Sequence, residues 1–219
     1  MKAKLMKESR GDTSLLDDNS QREDLKECMV TCFAALTEKL EEARLEFAQN
    51  DEAIHGLVEV IGNEPKLSTL QLAAFGLLRS MGRAKLAIKK VLSEKFEEQK
   101  VKFVQRISQQ LLITSEKPEE TALARKMRHM VVRVINNFGL DFKQFVYEEK
   151  VLEKLVEIIR SDTSSKTERR DAIIAIKNLN FETSSAERIE MERTISCNML
   201  LELLRTEEDL RDQLLLIIK

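Results

Sequence analysis

Four short apolar blocks recur along this chain at nearly constant spacing: LVEVI at Leu57–Ile61, FVQRI at Phe103–Ile107, LVEII at Leu155–Ile159 and LLELL at Leu200–Leu204. Their first residues lie 46, 52 and 45 positions apart. A unit of that size cannot bury its apolar face alone and must stack on its neighbours, so the period points to a linear array of helical units. Each of the first three blocks also heads a second pattern that aligns without gaps, in GLLRSMG (Gly76–Gly82), RVINNFG (Arg133–Gly139) and, one column in, AIKNLN (Ala175–Asn180). The aligned columns Leu77/Val134/Ala175, Leu78/Ile135/Ile176 and Met81/Phe138/Leu179 are the apolar face of a long helix. The column Gly82/Gly139/Asn180 reads as its stop, Gly and Asn being the residues that tolerate a left-handed closing residue.

The loops between the two helices of a unit are polar, NEPKLST (Asn63–Thr69), ITSEKPEE (Ile113–Glu120) and SDTSSKTE (Ser161–Glu168), and carry helix-start chemistry. Ser115 or Thr114 stands ahead of Pro118 and Glu119, and Ser165 or Thr167 ahead of Glu168. After each stop a short amphipathic stretch follows, at Ala84–Leu92, Phe142–Glu149 and Ala186–Ile195. In the second unit the medium helix is expected to run on through Leu112. Ahead of the first unit, Cys28, Met29, Cys32, Phe33, Leu36 and Leu40 form a 3,4-spaced stripe that predicts an amphipathic helix of roughly five turns. Residues 1–22 lack sustained periodicity and read as a mobile tail, leaving 23–219 as the repeat domain.

Composition agrees with helix throughout. With only 6 Gly, 2 Pro, 1 Tyr and no Trp in 219 residues, the chain lacks the turn residues that a large antiparallel sheet requires. A net charge of −2 supplies no global field for holding nucleic acid by counterion release, so nucleic acid is not the expected partner. No apolar run reaches membrane-spanning length, and no segment resembles a signal peptide. Three cysteines, Cys28, Cys32 and Cys197, are read as reduced and buried thiols of a cytoplasmic or nuclear protein. Cys28 and Cys32 stand four apart, but no second pair or nearby histidine completes a zinc set, so no metal is expected. His55 and His129 have no nucleophile or metal spacing around them, and no glycine-rich phosphate loop exists. His55 reads as a half-buried packing residue, and the chain is expected to be non-enzymatic, without a cofactor.

The end of the sequence, Glu207–Lys219, begins a further long helix and stops while its apolar face is being laid down. Either a dimer or partner covers Leu214, Leu215 and Ile218, or the array continues; the pattern favours a longer array.

Short, medium and long helix per unit is the plan of the armadillo family, which the columns resemble over residues 23–219. The expected fold is therefore all-α, an armadillo-like right-handed helical solenoid of about four to five repeats, the last incomplete. More narrowly, Ala35–Ile61, Leu70–Leu92 and Arg169–Lys219 resemble, in order and phase, the carboxy-terminal half of the armadillo-repeat scaffold subunits of the CTLH/GID ubiquitin ligase. That resemblance implies a non-catalytic scaffold holding a substrate receptor on a ligase core. An armadillo stack places its long helices on a concave face, where the column Ser80, Asn137 and Asn178 would form a ladder binding the backbone of an extended peptide. The alternative is that these residues merely cap helix ends. One turn earlier the column is Gly76, Arg133 and Ile174, where nuclear-import adaptors, which the fold also resembles, carry tryptophans; with none here, that mode of binding basic signals is not expected. Arg125, Lys126, Arg128 and Arg133 form a local basic run, and Lys85, Lys89 and Lys90 a second. Each reads either as a solvated face or as a dock for an acidic segment. The expected partners are other protein subunits or an extended peptide.

Overall fold

Helix starts follow the chemistry of the loops. In the computed structural model the described residues are 21–22, 24–63, 67–84, 97–138, 150–180, 193–206 and 211–218, without the side chains of 97–102, 180, 197, 213, 216 and 218. Ser165 and Glu168 form a reciprocal capping box: the Ser165 hydroxyl accepts from the Glu168 N–H at 3.2 Å, and the Glu168 carboxylate accepts from the Ser165 N–H at 2.9 Å. Ser68 accepts from the Gln71 N–H at 3.1 Å. Pro118 occupies the first helical position, where its missing N–H costs nothing, and the Ser115 hydroxyl bridges the Lys117 N–H and the Glu120 carboxylate.

Among the described residues the order is α1 (residues 24–39), α2 (Glu41–Gln49), α3 (Asp51–Asn63), α4 (Thr69–Met81), α5 (Glu97–Gln110), α6 (Pro118–Phe138), α7 (Val151–Arg160), α8 (Lys166–Asn180), α9 (Cys197–Thr206) and α10 (Arg211–Ile218), with no strand. The four apolar blocks fall in α3, α5, α7 and α9, and the aligned long-helix columns in α4, α6 and α8.

Cross-links fix how the units stack. Glu27 of α1 reaches Thr69 at the start of α4, and Glu38 near the end of α1 reaches Arg79 and Arg83, so the two helices run parallel. The same sense holds between α6 and α8, where Arg128 meets Glu168 and, two turns on, Asn136 meets Asn178. Helix α4 packs on α6, α6 on α8, and α8 on α10. A second layer is built from α3, α5 and α7: Arg106 of α5 donates to the Gly62 carbonyl at the end of α3 at 2.7 Å, and Lys154 of α7 donates to Ser108 of α5. One continuous core lies between the layers, with Phe75, Phe103 and Phe138 fully or almost fully buried and Ile54, Leu78, Met127, Ile135, Ile158 and Ile176 around them. Each unit touches chiefly its neighbours, which is the organisation of a helical solenoid.

Several expectations change. Gly82 does close α4, but at φ −61° and ψ −6°, in the right-handed region. Its role is close approach: a Cβ there would lie 2.8 Å from Asn137 Cβ and 3.0 Å from the Phe138 ring. Helix α5 ends at Gln110 and Leu112 lies in the following turn, so the medium helix of the second unit does not run on. Cys28 and Cys32 are exposed, not buried, because the apolar stripe of α1 points away from α4. Of the tail, 1–20 lie outside the described residues, and 21–22 are helical. Of the short third helices, 85–92, 142–149 and 186–192 also fall outside, and with them Lys85, Lys89 and Lys90, as does Gly139.

Candidate functional site

The proposed ladder column is present as a column, but its chemistry is largely internal. Asn137 donates its side-chain N–H to the Arg79 carbonyl of the preceding long helix at 2.7 Å. Asn178 repeats the bond one unit later, donating to the Asn136 carbonyl at 3.3 Å and to the Asn136 side-chain oxygen at 3.1 Å. In the alignment Arg79 and Asn136 share a column, so the same staple joins consecutive long helices at both junctions. Both asparagines remain half-buried. Ser80 departs from the expectation: it is fully buried, donates to the Leu77 carbonyl at 2.9 Å and hydrogen-bonds the Thr37 hydroxyl of α1, so no peptide can reach it. Its small hydroxyl lets α1 approach at the position where later units carry an amide.

Beside the staples runs a charged seam. Arg128 reaches Glu168 across the α6–α8 junction at 3.2 Å and donates to the Ile113 carbonyl at 3.1 Å, leaving its side chain only 13% exposed. It therefore holds the junction and is not available as a docking cation, contrary to the reading of the basic run. Burial works to raise the Glu168 carboxyl, but the Ser165 N–H and hydroxyl together with Arg128 hold it below the ordinary carboxylate value. Asp171 sits in the same seam, 3.6 Å from His129 Nε2 and 3.5 Å from Arg133 Nε. The sequence signal for this seam was available: opposite charges separated by 38 and 40 residues, close to the offset of 41 between Asn137 and Asn178. Between α1 and α4 the pair is replaced by Glu38 with Arg79 and Arg83 at 2.8 and 2.9 Å. There burial raises the Glu38 carboxyl and the two guanidiniums outweigh it, so its value is lowered.

What remains open on the long helices is a strip. Lys126 and Arg133 are exposed two turns apart on one face of α6, and Arg170 is exposed on α8. Next to them Ala73 and Gly76 on α4, Met130 on α6 and Ile174 on α8 are half-buried, giving a low floor beside the cations. Arg125 is also exposed, on the flank of α6. At the far end Leu214 is fully buried in the core and cannot serve as an interface, whereas Leu215 is 44% exposed. Leu214 lies on α10, which packs against α8. The side chain of Ile218 lies outside the described residues. His55 is half-buried, with Nδ1 3.9 Å from Glu59. Among the described residues no His, Cys, Asp and Glu group is arranged to hold a metal, and no helix is long and apolar enough to cross a membrane.

No family model matches this chain, and no curated protein matches it. Among solved structures it is similar to a designed armadillo repeat protein, at 14% identity over 87% of this chain and 91% of that one, with a TM-score of 0.49. At that level the likeness carries no functional argument; the helical stack rests on the packing described above.

Proposed function

We propose that the chain is a non-catalytic protein-interaction scaffold that receives an extended acidic segment along its long helices. The observation that carries this reading is the strip of Lys126, Arg133 and Arg170 beside the half-buried Ala73, Gly76, Met130 and Ile174. A main chain can lie close over small floor residues, while guanidinium groups at the rim meet carboxylates in bidentate fashion. Asn137 and Asn178 border the strip with an amide N–H of each committed to the neighbouring helix, and their amide oxygens can accept from a peptide N–H. Fluorescence anisotropy with a labelled Glu-rich peptide tests the reading. Binding should weaken steeply with salt and fall about tenfold or more in a Lys126→Glu/Arg133→Glu/Arg170→Glu variant of unchanged helicity. Equal binding by the variant overturns it.

The specific form implied by the family resemblance is a subunit of a ubiquitin ligase in the cytoplasm or nucleus. Affinity purification from native cells tests that form separately: recovery without ring-type ligase subunits removes it and leaves the acidic-segment reading in place.

A further inference from the structure

Asp171 of α8 carries a carboxyl oxygen that the stack leaves unsatisfied. Its Oδ2 is buried and makes no hydrogen bond among the described residues. Two groups one turn apart on α6 approach that oxygen, His129 Nε2 at 3.6 Å and Arg133 Nε at 3.5 Å, each a few tenths of an ångström beyond hydrogen-bond reach. A buried oxygen without a donor is uncommon enough to need an explanation. His129 is 27% exposed and lies between Lys126 and Arg133 along α6, so it opens on the same strip as they do. The shared oxygen gives the cluster two arrangements. With the imidazole neutral, Arg133 supplies the positive charge that balances Asp171 and is drawn towards the seam. With the imidazole protonated, the ring balances Asp171, and Arg133 is released to meet an anion lying on the strip.

Apart from Asp171, the charges around His129 are cations or are already matched. On its own helix Arg125, Lys126 and Arg133 stand three or four residues away, while Arg128 is held by Glu168 and the Ile113 carbonyl. Helix α8 contributes Asp171 and the adjacent Arg170, its Glu168 being taken up by Ser165 and Arg128. The charged residue of α4, Arg79, is paired with Glu38 and lies level with Asn137, two turns further on. Among the described side chains of α5 the charged one is Arg106, turned to the Gly62 carbonyl. In the free chain the cations oppose a charge on His129 and Asp171 favours it. Carboxylates lying on the strip neutralise those cations and tip the balance towards the imidazolium. We propose that His129 is a proton-operated regulator of the strip: an acidic segment and a proton at His129 bind cooperatively, so the partner is held more tightly as the surroundings turn from weakly alkaline to weakly acid. Linkage fixes the sign, since a proton that strengthens the segment's binding is itself taken up when the segment binds. The inference rests on the acidic-segment reading and adds to it the condition under which the partner is held.

Anisotropy with the Glu-rich peptide and the full chain, between about pH 7.5 and about pH 5.5 at constant ionic strength, tests the inference. Over that interval imidazoles change charge, whereas the peptide's glutamates, which titrate near about pH 4.3, stay ionised. The wild type should bind roughly fivefold more tightly at the acid end. His129→Gln should stay at the weaker value throughout and His129→Arg at the tighter one, which separates the charge of the ring from its shape. His55→Gln, at the other histidine of the chain, should follow the wild type. Calorimetry near about pH 6.5, in two buffers of different ionisation enthalpy, should show a fraction of a proton taken up on binding by the wild type and none by His129→Gln. Wild-type affinity that is independent of pH, a His129→Gln variant that keeps the wild-type slope, or binding without proton uptake overturns the inference. If binding is still lost in Lys126→Glu/Arg133→Glu/Arg170→Glu, the acidic-segment reading survives that outcome. Equal binding by the triple variant, or no binding at any pH, overturns the reading and the inference together.

Discussion

Gly82 shows how one residue type can be read correctly for the wrong reason. Its place at a helix end is visible in the alignment, yet its backbone is right-handed, and what excludes a side chain is the neighbouring helix, 2.8 Å from where a Cβ would sit. Neither atom it would meet is the far end of a flexible chain, so Gly82→Ala should lower unfolding stability by about 1–3 kcal/mol in urea titration. Gly56, inside α3 with nothing within 4 Å of its Cβ position, gives the opposite expectation. There Gly56→Ala should add about 0.5–1 kcal/mol by reducing backbone freedom in the unfolded chain. Asn137→Ala removes the bond to the Arg79 carbonyl and should cost about 1 kcal/mol. The column of Ser80, Asn137 and Asn178 was legible from sequence because it repeats; that its polar groups point at the preceding helix was not, because spacing along one helix does not reveal the side of its neighbour.

Elements inherit their strength from their ends and faces. Helix α8 opens on the Ser165–Glu168 box, and Glu168 also carries the ion pair with Arg128 while being almost fully buried. Glu168→Ala would strip a cap and leave a largely buried guanidinium short of its partner, an expected loss of about 2–4 kcal/mol by thermal or chemical denaturation. Because the folded carboxyl titrates below its ordinary value of 4.5, the folded state binds its proton less readily than the unfolded chain does. Its contribution is complete above that ordinary value and fades as pH falls through the lower folded one. Denaturation midpoints of the wild type should accordingly drop below about pH 4.5, and those of Glu168→Gln should drop less over the same interval. The box was readable as Ser-x-x-Glu before an apolar run. The open face of α1 was not: its 3,4 stripe looks like that of any core helix, and only the identity of the face turned towards α4 separates buried from exposed.

At the scale of the molecule, stability is transmitted from unit to unit. Ile135 is fully buried in α6, which packs on α4 before it and α8 after it. Ile135→Ala should cost about 2–4 kcal/mol, and hydrogen exchange should show protection lost in α4, α6 and α8 ahead of α3, since a stack of this kind couples nearest neighbours. By itself the sequence determined the helical content, the period, the aligned columns and the helix starts, because these follow from local propensity and from apolar spacing along one chain. Tertiary structure alone decided which polar groups are spent inside the stack, Ser80, Asn137, Asn178 and Arg128 among them, and which face outward, as Lys126, Arg133 and the α1 stripe do. The reason is that a helix repeats its pattern every turn, whereas exposure depends on the neighbour packed against each side, and that neighbour lies about 40 residues away in the chain.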